Sequence, residues 1–362
     1  QAEPEQTLDA WRAVLDDESV DNRPETLDRY ARSTQPQGTR PACILYPKTR
    51  DEVRNAVLAA ASTGMVIYPI SRGENWGYGD ACAPTQGAAI LDLSRMNRIL
   101  EIDSELGYAI IEPGVTQQQL YEAVRDQAPG FWLDCTGAGR DASVVGNVLE
   151  RGFGHTPYGD HMRTVCGLEV VLADGRILNT GLTHYPNARA ARAYPYGVGP
   201  SLDGLFTQSN FGVVTKLGLW LYPAPEGFRF FYIGVEHDEG LEELVDALRP
   251  LRMRGILNSA VHIASDLRII SSHQRYPWDK TDGAVPLPKT IRDQLRQATG
   301  VRAWNVSGSL AGPRAQVRAA AREISRAMRG IGRVTFVDDR RLALGKKVVG
   351  ALARFGFAQV MA

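Results

Sequence analysis

The stretch that decides the fold is Ser71-Arg72-Gly73-Glu74-Asn75-Trp76-Gly77-Tyr78-Gly79. It follows directly on the apolar run 66–70, which predicts a strand. Glycine allows positive φ and a close approach of backbone N–H groups, so such a turn can hold a pyrophosphate without a cationic side chain. No helix pattern begins inside it, which distinguishes it from a Rossmann G-x-G-x-x-G. A glycine-rich loop without a ligand is the alternative that these residues leave open.

Regular elements surround this loop. A helix is predicted from Thr49, where Thr49 and Glu52 form a capping box, to Gly64. Strands are predicted at 88–93, 108–112 and 213–221, and a helix at 116–128. The sequence Ala173-Asp174-Gly175 lies between two β-rich runs and predicts a hairpin. The segment therefore mixes α and β structure.

The pattern restarts after Pro223-Ala224-Pro225. Strands are predicted at 228–235, 302–307 and 334–337, and helices at 241–248 and 313–328. The sequence therefore predicts two domains, at 1–225 and 226–340, followed by a basic, apolar tail helix at 341–362. A solvated basic face is favoured for that tail over a membrane or partner helix.

Chain length and net charge limit the number of domains and the classes of binding partner. A chain of 362 residues exceeds one ordinary core, which agrees with two domains. Its 41 basic and 41 acidic side chains cancel, which disfavours binding to nucleic acid or to a membrane surface. We expect a small-molecule partner and a soluble protein, cytoplasmic or periplasmic. The four scattered cysteines, Cys43, Cys82, Cys135 and Cys166, are expected to be reduced and buried.

Two further glycine-bearing segments, 146–161 and 200–215, have the polar, turn-rich character of ligand loops. His155 and His161 lie six positions apart, which matches no zinc motif, so no metal is expected. No G-x-S-x-G or P-loop motif supports a hydrolase or a kinase. An ordinary loop-to-strand junction remains open for the second segment.

Taken together, these segments resemble the vanillyl-alcohol oxidase and p-cresol methylhydroxylase family of flavoproteins. The likeness also covers 112–116, 169–175, 206–212, 245–253 and 303–305, and the order of motifs is most similar to that of 4-cresol dehydrogenase flavoproteins. The resemblance implies an α+β fold with an FAD-binding domain of the vanillyl-alcohol oxidase (PCMH) type plus a partial antiparallel-sheet cap domain. It implies FAD as the cofactor.

The resemblance also assigns residues. The loop from 71 to 79 would hold the pyrophosphate, aided by Pro113–Val115, by Gly146 and Asn147, and by the run from Gly152 to His161. Glu169, Val170 and Gly212–Val214 would lie toward the adenosine half. The implied cofactor-binding residues are Ser71, Arg72, Gly73, Glu74, Asn75, Trp76, Gly77, Tyr78, Gly79, Pro113, Gly114, Val115, Gly146, Asn147, Gly152, Gly154, Thr156, Asp160, His161, Glu169, Val170, Gly212, Val213 and Val214.

Tyr78 takes the family's phenol-contacting position and is the implied catalytic residue. The implied reaction is oxidation of para-alkyl or para-hydroxybenzyl phenols, in which a hydride leaves the benzylic carbon for flavin N5 and a quinone methide results. Hydrogen bonds that stabilise the phenolate make that hydride transferable. A homodimer and a cytochrome c or another electron acceptor are implied partners.

Two departures from the family pattern matter. The segment 136–139 carries no acid at the position used by vanillyl-alcohol-oxidase-like members, which favours a dehydrogenase over an oxidase. The chain also ends before the part in which the family has a phenolate-binding Tyr-Arg pair and the flavin tether. We therefore expect the 362 residues to be a C-terminally truncated piece of a longer polypeptide. The alternatives are a flavoprotein oxidase of an alcohol, sugar or natural-product intermediate, and a non-catalytic flavin-binding protein.

Overall fold

The structure, a computed structural model, describes residues 4–34, 38–75 and 79–338. These residues form two compact units. The first unit runs through Gly154 and continues from Asp160 to Ala224, whereas the second contains His155–Gly159 and the chain from Pro225 onward. The predicted tail helix at 341–362 lies outside the described residues.

The first unit holds eleven strands and five helices of the described chain. The helices are α1 (Pro4–Arg12), α2 (Pro24–Tyr30), α3 (Arg50–Thr63), α4 (Gln117–Gln127) and α5 (Val144–Leu149). The strands are β1 (Val20–Asp21), β2 (Cys43–Leu45), β3 (Ile67–Ile70), β4 (Ala89–Asp92), β5 (Ile99–Asp103), β6 (Tyr108–Ile111), β7 (Phe131–Trp132), β8 (Val165–Leu172), β9 (Ile177–Asn179), β10 (Gly212–Trp220) and β11 (Tyr222–Pro223).

The glycine-rich loop leaves a four-stranded sheet, ordered β1-β2-β4-β3, between β3 and β4. Strands β2 and β3 both pair parallel with β4, and α3 connects them. The helix begins as predicted, with Thr49 Oγ1 accepting from the N–H of Glu52, and ends at Gly64 with φ +68°. The Glu52 carboxylate accepts from the N–H of Lys48 instead of closing the predicted capping box on Thr49. Alanine and valine side chains of α3 are buried against this sheet.

A five-stranded antiparallel sheet, ordered β5-β6-β10-β8-β9, carries the second half of the first unit. The predicted hairpin is confirmed: β8 and β9 pair antiparallel around Asp174 and Gly175, and Gly175 has φ +78°. The core of this sheet is aliphatic and is closed by α4 and α5. The core beneath α3 also includes Val171 of β8 and Val213 of β10, so the two sheets of the unit meet at a shared seam beside this helix.

The second unit is an antiparallel sheet, ordered β13-β14-β12-β15, with helices packed on it. Its strands are β12 (Gly227–Val235), β13 (Val261–Ser265), β14 (Trp304–Gly312) and β15 (Arg333–Val337). Its helices are α6 (Leu241–Met253), α7 (Asp266–His273), α8 (Trp278–Thr281), α9 (Lys289–Thr299) and α10 (Arg314–Ala327). The α+β class and the antiparallel second sheet agree with the family's fold.

Two predicted ends in the second unit were wrong. The helix predicted at 241–248 continues through Pro250 to Met253, because Leu244, Leu248 and Leu251 keep one buried face against the sheet. The strand predicted at 302–307 runs from Trp304 to Gly312, because β14 is the central strand and pairs along its length with β12. Tertiary pairing overrides local end signals in both cases.

Cys43 and Cys166 are buried, as expected, whereas Cys82 and Cys135 are only half-buried. No helix among the described residues has the length and apolar character that a membrane span requires. Within the same residues, His, Cys, Asp and Glu side chains form no group of three that could hold a metal ion.

Candidate functional site

The glycine-rich loop leaves β3 at Ser71. Gly73 adopts φ +75° and Gly79 adopts φ +107°, conformations that L side chains rarely take. A Cβ at Gly73 would lie 2.6 Å from the Cβ of Ala81, so the loop's own packing already requires this glycine. Three residues of the loop, Trp76, Gly77 and Tyr78, lie outside the described residues, and the predicted catalytic position is among them.

Arg72 points from this loop toward Gly114. Its Nη1 donates a 3.4 Å hydrogen bond to the carbonyl oxygen of Gly114. Its Nε is buried and has no hydrogen-bond partner among the described residues. Leaving a buried donor unsatisfied costs about 1–3 kcal/mol, more for a charged group, so such a cation indicates a place for an anion.

Helix α5 lies against the same loop. The hydroxyl of Ser143 caps α5 by accepting from the N–H of Gly146 at 2.9 Å, and it donates to the carbonyl oxygen of Pro113 at 2.6 Å. A Cβ at Gly146 would lie 3.2 Å from Oγ of Ser71. The structure therefore brings together three of the predicted groups: the start of the loop, 113–115 and the start of α5.

A cavity of about 790 Å³ opens beside the loop in the seam between the two sheets of the first unit. Small-molecule and cofactor sites commonly occupy about 300–1,000 Å³. Its walls include β3, the C-terminal half of α3 and the start of β10. Ser71 and the predicted residues Gly212, Val213 and Val214 line it together.

Sequence reasoning missed several polar residues of this cavity. Glu150, Gln208, Ser209 and Asn210 line it. Gln208 has φ +47°, and its N–H donates to the carbonyl oxygen of Leu149 at 2.9 Å, so the turn 207–210 is fixed against the end of α5. The polar turn before β10 was the available signal, because it places several hydrogen-bonding side chains directly before an apolar strand.

A second cluster of predicted residues is built around His161. Its Nδ1 lies 2.7 Å from Oδ1 of Asn147, and its Nε2 lies 3.6 Å from Oδ2 of Asp134. His161 and Asp134 are 6% and 9% exposed. Asp160 caps the short 3-10 helix that carries His161, because its Oδ1 accepts from the N–H of Met162.

The glycines of this cluster allow neighbouring side chains to approach the backbone. A Cβ at Gly152 would lie 2.2 Å from Oδ1 of Asn147. A Cβ at Gly154 would lie 2.1 Å from Oδ1 of Asp134. Asp134, which sequence reasoning did not assign to the site, is therefore part of this cluster.

Glu169 and Val170, predicted toward the adenosine half, lie in β8 but do not line the cavity; Val171 does. The Glu169 carboxylate accepts from Thr215 Oγ1 at 2.9 Å and pairs with Lys216 Nζ at 2.8 Å. Val170 is fully buried in the core of the five-stranded sheet.

The predicted residue Thr156 belongs to the second unit, together with His155. His155 Nε2 lies 3.1 Å from Nε2 of His262 on β13, and the Ser309 hydroxyl on β14 donates to the carbonyl oxygen of His155. Burial lowers the pKa of His262, and the neighbouring His155 lowers it further. His155 and His161 therefore contribute to different clusters.

The cavity, the half-buried Arg72 with its buried Nε, and the glycine turns together fit a long ligand with a diphosphate centre. Ser71, Arg72 and the backbone of Gly73 would meet the anion, and Gly212–Val214 would line the cavity wall beside it. Residues 41–181 match the family model of an FAD binding domain.

The chain is 36% identical over 99% of its length to 1'-carboxy-chondrochloren decarboxylase of Chondromyces crocatus, and it covers 67% of that protein. It is 36% identical over 88% of its length to the 4-cresol dehydrogenase [hydroxylating] flavoprotein subunit of Pseudomonas putida. The chain belongs to the vanillyl-alcohol oxidase and p-cresol methylhydroxylase family. FAD is the cofactor of this family of FAD-linked oxidoreductases.

A solved structure of p-cresol methylhydroxylase with substrate bound has a TM-score of 0.85 and 34% sequence identity, over 92% of this chain and 65% of the other. The chain spans 61% of the length of the dehydrogenase subunit. Substrate and partners of the whole protein are therefore matters for proposal.

Proposed function

We propose that this FAD-linked oxidoreductase oxidises phenols that carry a para-alkyl or para-hydroxybenzyl carbon. The observation that carries the proposal is that a cavity and an arginine with a buried, unsatisfied Nε, both suited to FAD, occur in a chain 36% identical to a 4-cresol dehydrogenase subunit. The likeness to p-cresol methylhydroxylase over 92% of the chain supports the same substrate class.

FAD supplies a hydride acceptor at N5. The protein's part is to bind the dinucleotide and to hold the phenol as phenolate, because a para oxyanion donates electrons to the benzylic C–H bond and makes its hydride easier to remove. Two electrons and one hydrogen nucleus leave the substrate together, and a quinone methide to which water can add remains. We place Tyr78 at the phenolate as a hydrogen-bond donor, on the strength of the family resemblance.

Anaerobic reduction tests this proposal. Addition of 4-cresol or 4-ethylphenol to the FAD-loaded protein should bleach the oxidised flavin absorbance, whereas 3-cresol and toluene, which lack a para-related hydroxyl and alkyl pair, should not. Tyr78→Phe should retain flavin and slow the bleaching. Failure of every para-alkylphenol, with alcohols or sugars reducing the flavin instead, would replace the proposed substrate class by that of the other oxidases.

The decarboxylase relative supports a second candidate. It matches 99% of this chain, which is more than the dehydrogenase subunit matches. In this alternative, a substrate carboxylate leaves as CO₂ while the flavin takes up two electrons. Release of CO₂ from a para-hydroxyphenyl carboxylic acid, in step with flavin reduction, would favour decarboxylation over simple oxidation.

The electron acceptor can be assigned with the same material. We propose that a separate protein or cytochrome reoxidises the flavin, because the dehydrogenase relative is a flavoprotein subunit. Rapid reoxidation by cytochrome c or a one-electron dye, with slow reoxidation by O₂, is the expected result. Rapid reoxidation by O₂ alone would instead identify an oxidase.

A further inference from the structure

A groove of about 430 Å³ lies in the second unit, beside helix α10. Five arginines and Ser325 line it, together with Ala321 and the ring of Phe336. The arginines are Arg229, Arg318, Arg322, Arg326 and Arg329. No acidic side chain of the described chain lines this groove.

The arginines converge from different elements. Arg318, Arg322 and Arg326 follow one another at i,i+4 along one face of α10, so their Cα atoms span about 12 Å. Arg229 approaches from β12, and Phe336 forms part of the wall from β15. Because helix and strands contribute together, the cations line a concave site rather than a flat helix face.

Most of these charges are uncompensated. Arg326 pairs with Glu323 at 2.7 Å. Among the described residues, Arg229, Arg318, Arg322 and Arg329 have no acidic partner within 4.0 Å. Elsewhere in the same unit, arginines are paired: Arg292 contacts Asp266 at 2.6 Å and Arg302 contacts Glu236 at 2.7 Å.

Like charges at i,i+4 destabilise a helix, and cations in its first turns oppose the helix dipole. Arg314 and Arg318 lie in the first turns of α10, so the arginines on this face lower the stability of the helix. The apolar face, on which Val317 and Ile324 are buried, supplies the stability that tolerates this charge. An anion in the groove would relieve the repulsion.

The chemistry of the lining points to phosphate. Guanidinium groups bind phosphate oxygens in a bidentate, planar fashion, and the Ser325 hydroxyl adds a neutral donor. The volume is that of a small-molecule site, and several cations a helical turn apart suit several linked phosphates better than one. We propose that this groove binds a compact oligophosphate, either free or as the phosphate chain of a nucleotide.

Calorimetric titration of the FAD-saturated 362-residue protein at low salt tests the proposal. Saturation with FAD keeps a nucleotide probe out of the flavin cavity. Inorganic tripolyphosphate should bind, and Arg318→Ala with Arg322→Ala should weaken it at least tenfold. The matched control is Arg249→Ala with Arg254→Ala, two exposed arginines outside the groove, one on α6 and one directly after it, and it should change the affinity by less than twofold.

The arms of the titration separate the alternatives. ATP binding at least tenfold tighter than tripolyphosphate would identify a nucleotide, and equal affinities would identify free oligophosphate. Arg318→Lys with Arg322→Lys should retain only part of the affinity, because lysine keeps the charge but loses the fork. Unchanged flavin content and melting temperature establish that the variants fold.

Three results would overturn the proposal. They are the absence of tripolyphosphate binding, an equal loss of binding in the α6 control, and binding of poly-glutamate without tripolyphosphate. The last result would make this groove a docking surface for an acidic protein.

Discussion

Nδ1 of His161 donates a 2.7 Å hydrogen bond to Oδ1 of Asn147, because an amide oxygen can only accept. This bond joins α5 to the 3-10 helix His161–Thr164, which begins at the end of segment 146–161. Both residues are among those that the family resemblance assigns to the flavin. The glycine at position 152 is what lets the Asn147 side chain occupy its place.

Gly152→Ala is expected to destabilise the protein by about 2 kcal/mol, because its Cβ would fall onto the Asn147 amide and force that side chain to move. FAD affinity should fall with it. Chemical denaturation and flavin titration are the measurements. Gly204→Ala is the matched control, since nothing lies within 4 Å of the added Cβ there. A Gly152→Ala protein as stable as the control would contradict this account of the glycine.

Arg72→Met should have opposite effects on stability and on cofactor binding. The flavin-free protein should be as stable as the original or more stable, because an unsatisfied buried donor is removed. FAD affinity should drop at least tenfold, because the cation facing the diphosphate is lost. Fluorescence titration of FAD and thermal melting of the flavin-free protein measure the two effects.

The control for Arg72→Met is Arg163→Met, the same change at an exposed arginine. It should leave FAD affinity unaltered. Loss of stability in Arg72→Met without loss of FAD affinity would mean that Arg72 serves the loop and not the cofactor.

Glu169→Gln is expected to lower the free energy of unfolding by about 2 kcal/mol, because a buried carboxylate that pairs with Lys216 and Arg50 loses its charge. Asp174→Asn, which breaks an exposed pair with Arg176, should cost at most about 0.5 kcal/mol. FAD affinity should stay the same in both variants. A clear loss of FAD affinity in Glu169→Gln would restore the predicted role of Glu169 on the adenosine half.

Acid should destabilise the second unit through His262. Its pKa is lowered in the folded protein, so the unfolded chain binds a proton first as the pH falls below about 6.5. Stability is therefore complete above that pH and declines as the pH drops toward the lowered pKa. His262→Gln should flatten the decline in melting temperature between about pH 7.5 and about pH 5, whereas His237→Gln, at an exposed histidine, should not. Parallel profiles for His262→Gln and the original protein would contradict the shift.

Local sequence signals were sufficient to predict the elements that end at a capping or turn residue. Thr49 and Gly64 bound α3, and Asp174-Gly175 produces the turn between β8 and β9. The segment from α7 to α9 was not predicted, because ion pairs rather than an apolar stripe organise it. Asp266, fully buried in α7, pairs with Arg292 and Arg296 of α9, and no local pattern announces such a pairing.

Some residues of the candidate site could likewise be predicted from local patterns, whereas others depend on tertiary packing. The glycine-rich loop after β3 could be found because a strand followed by glycines is a local pattern. Asp134 could not be found, because its approach to Gly154 depends on how β7 and the following chain pack. The family resemblance supplied the remaining residues, and the structure shows that Gly152 and Gly154 accommodate neighbouring side chains.

The seam between the two sheets of the first unit has a consequence for the living cell. A ligand that fills about 790 Å³ between the two sheets binds only the folded chain, so a rise in free FAD stabilises the native state by mass action. The concentration of FAD in the cell would then determine what fraction of the polypeptide stays folded and resists proteolysis, independently of its catalytic rate.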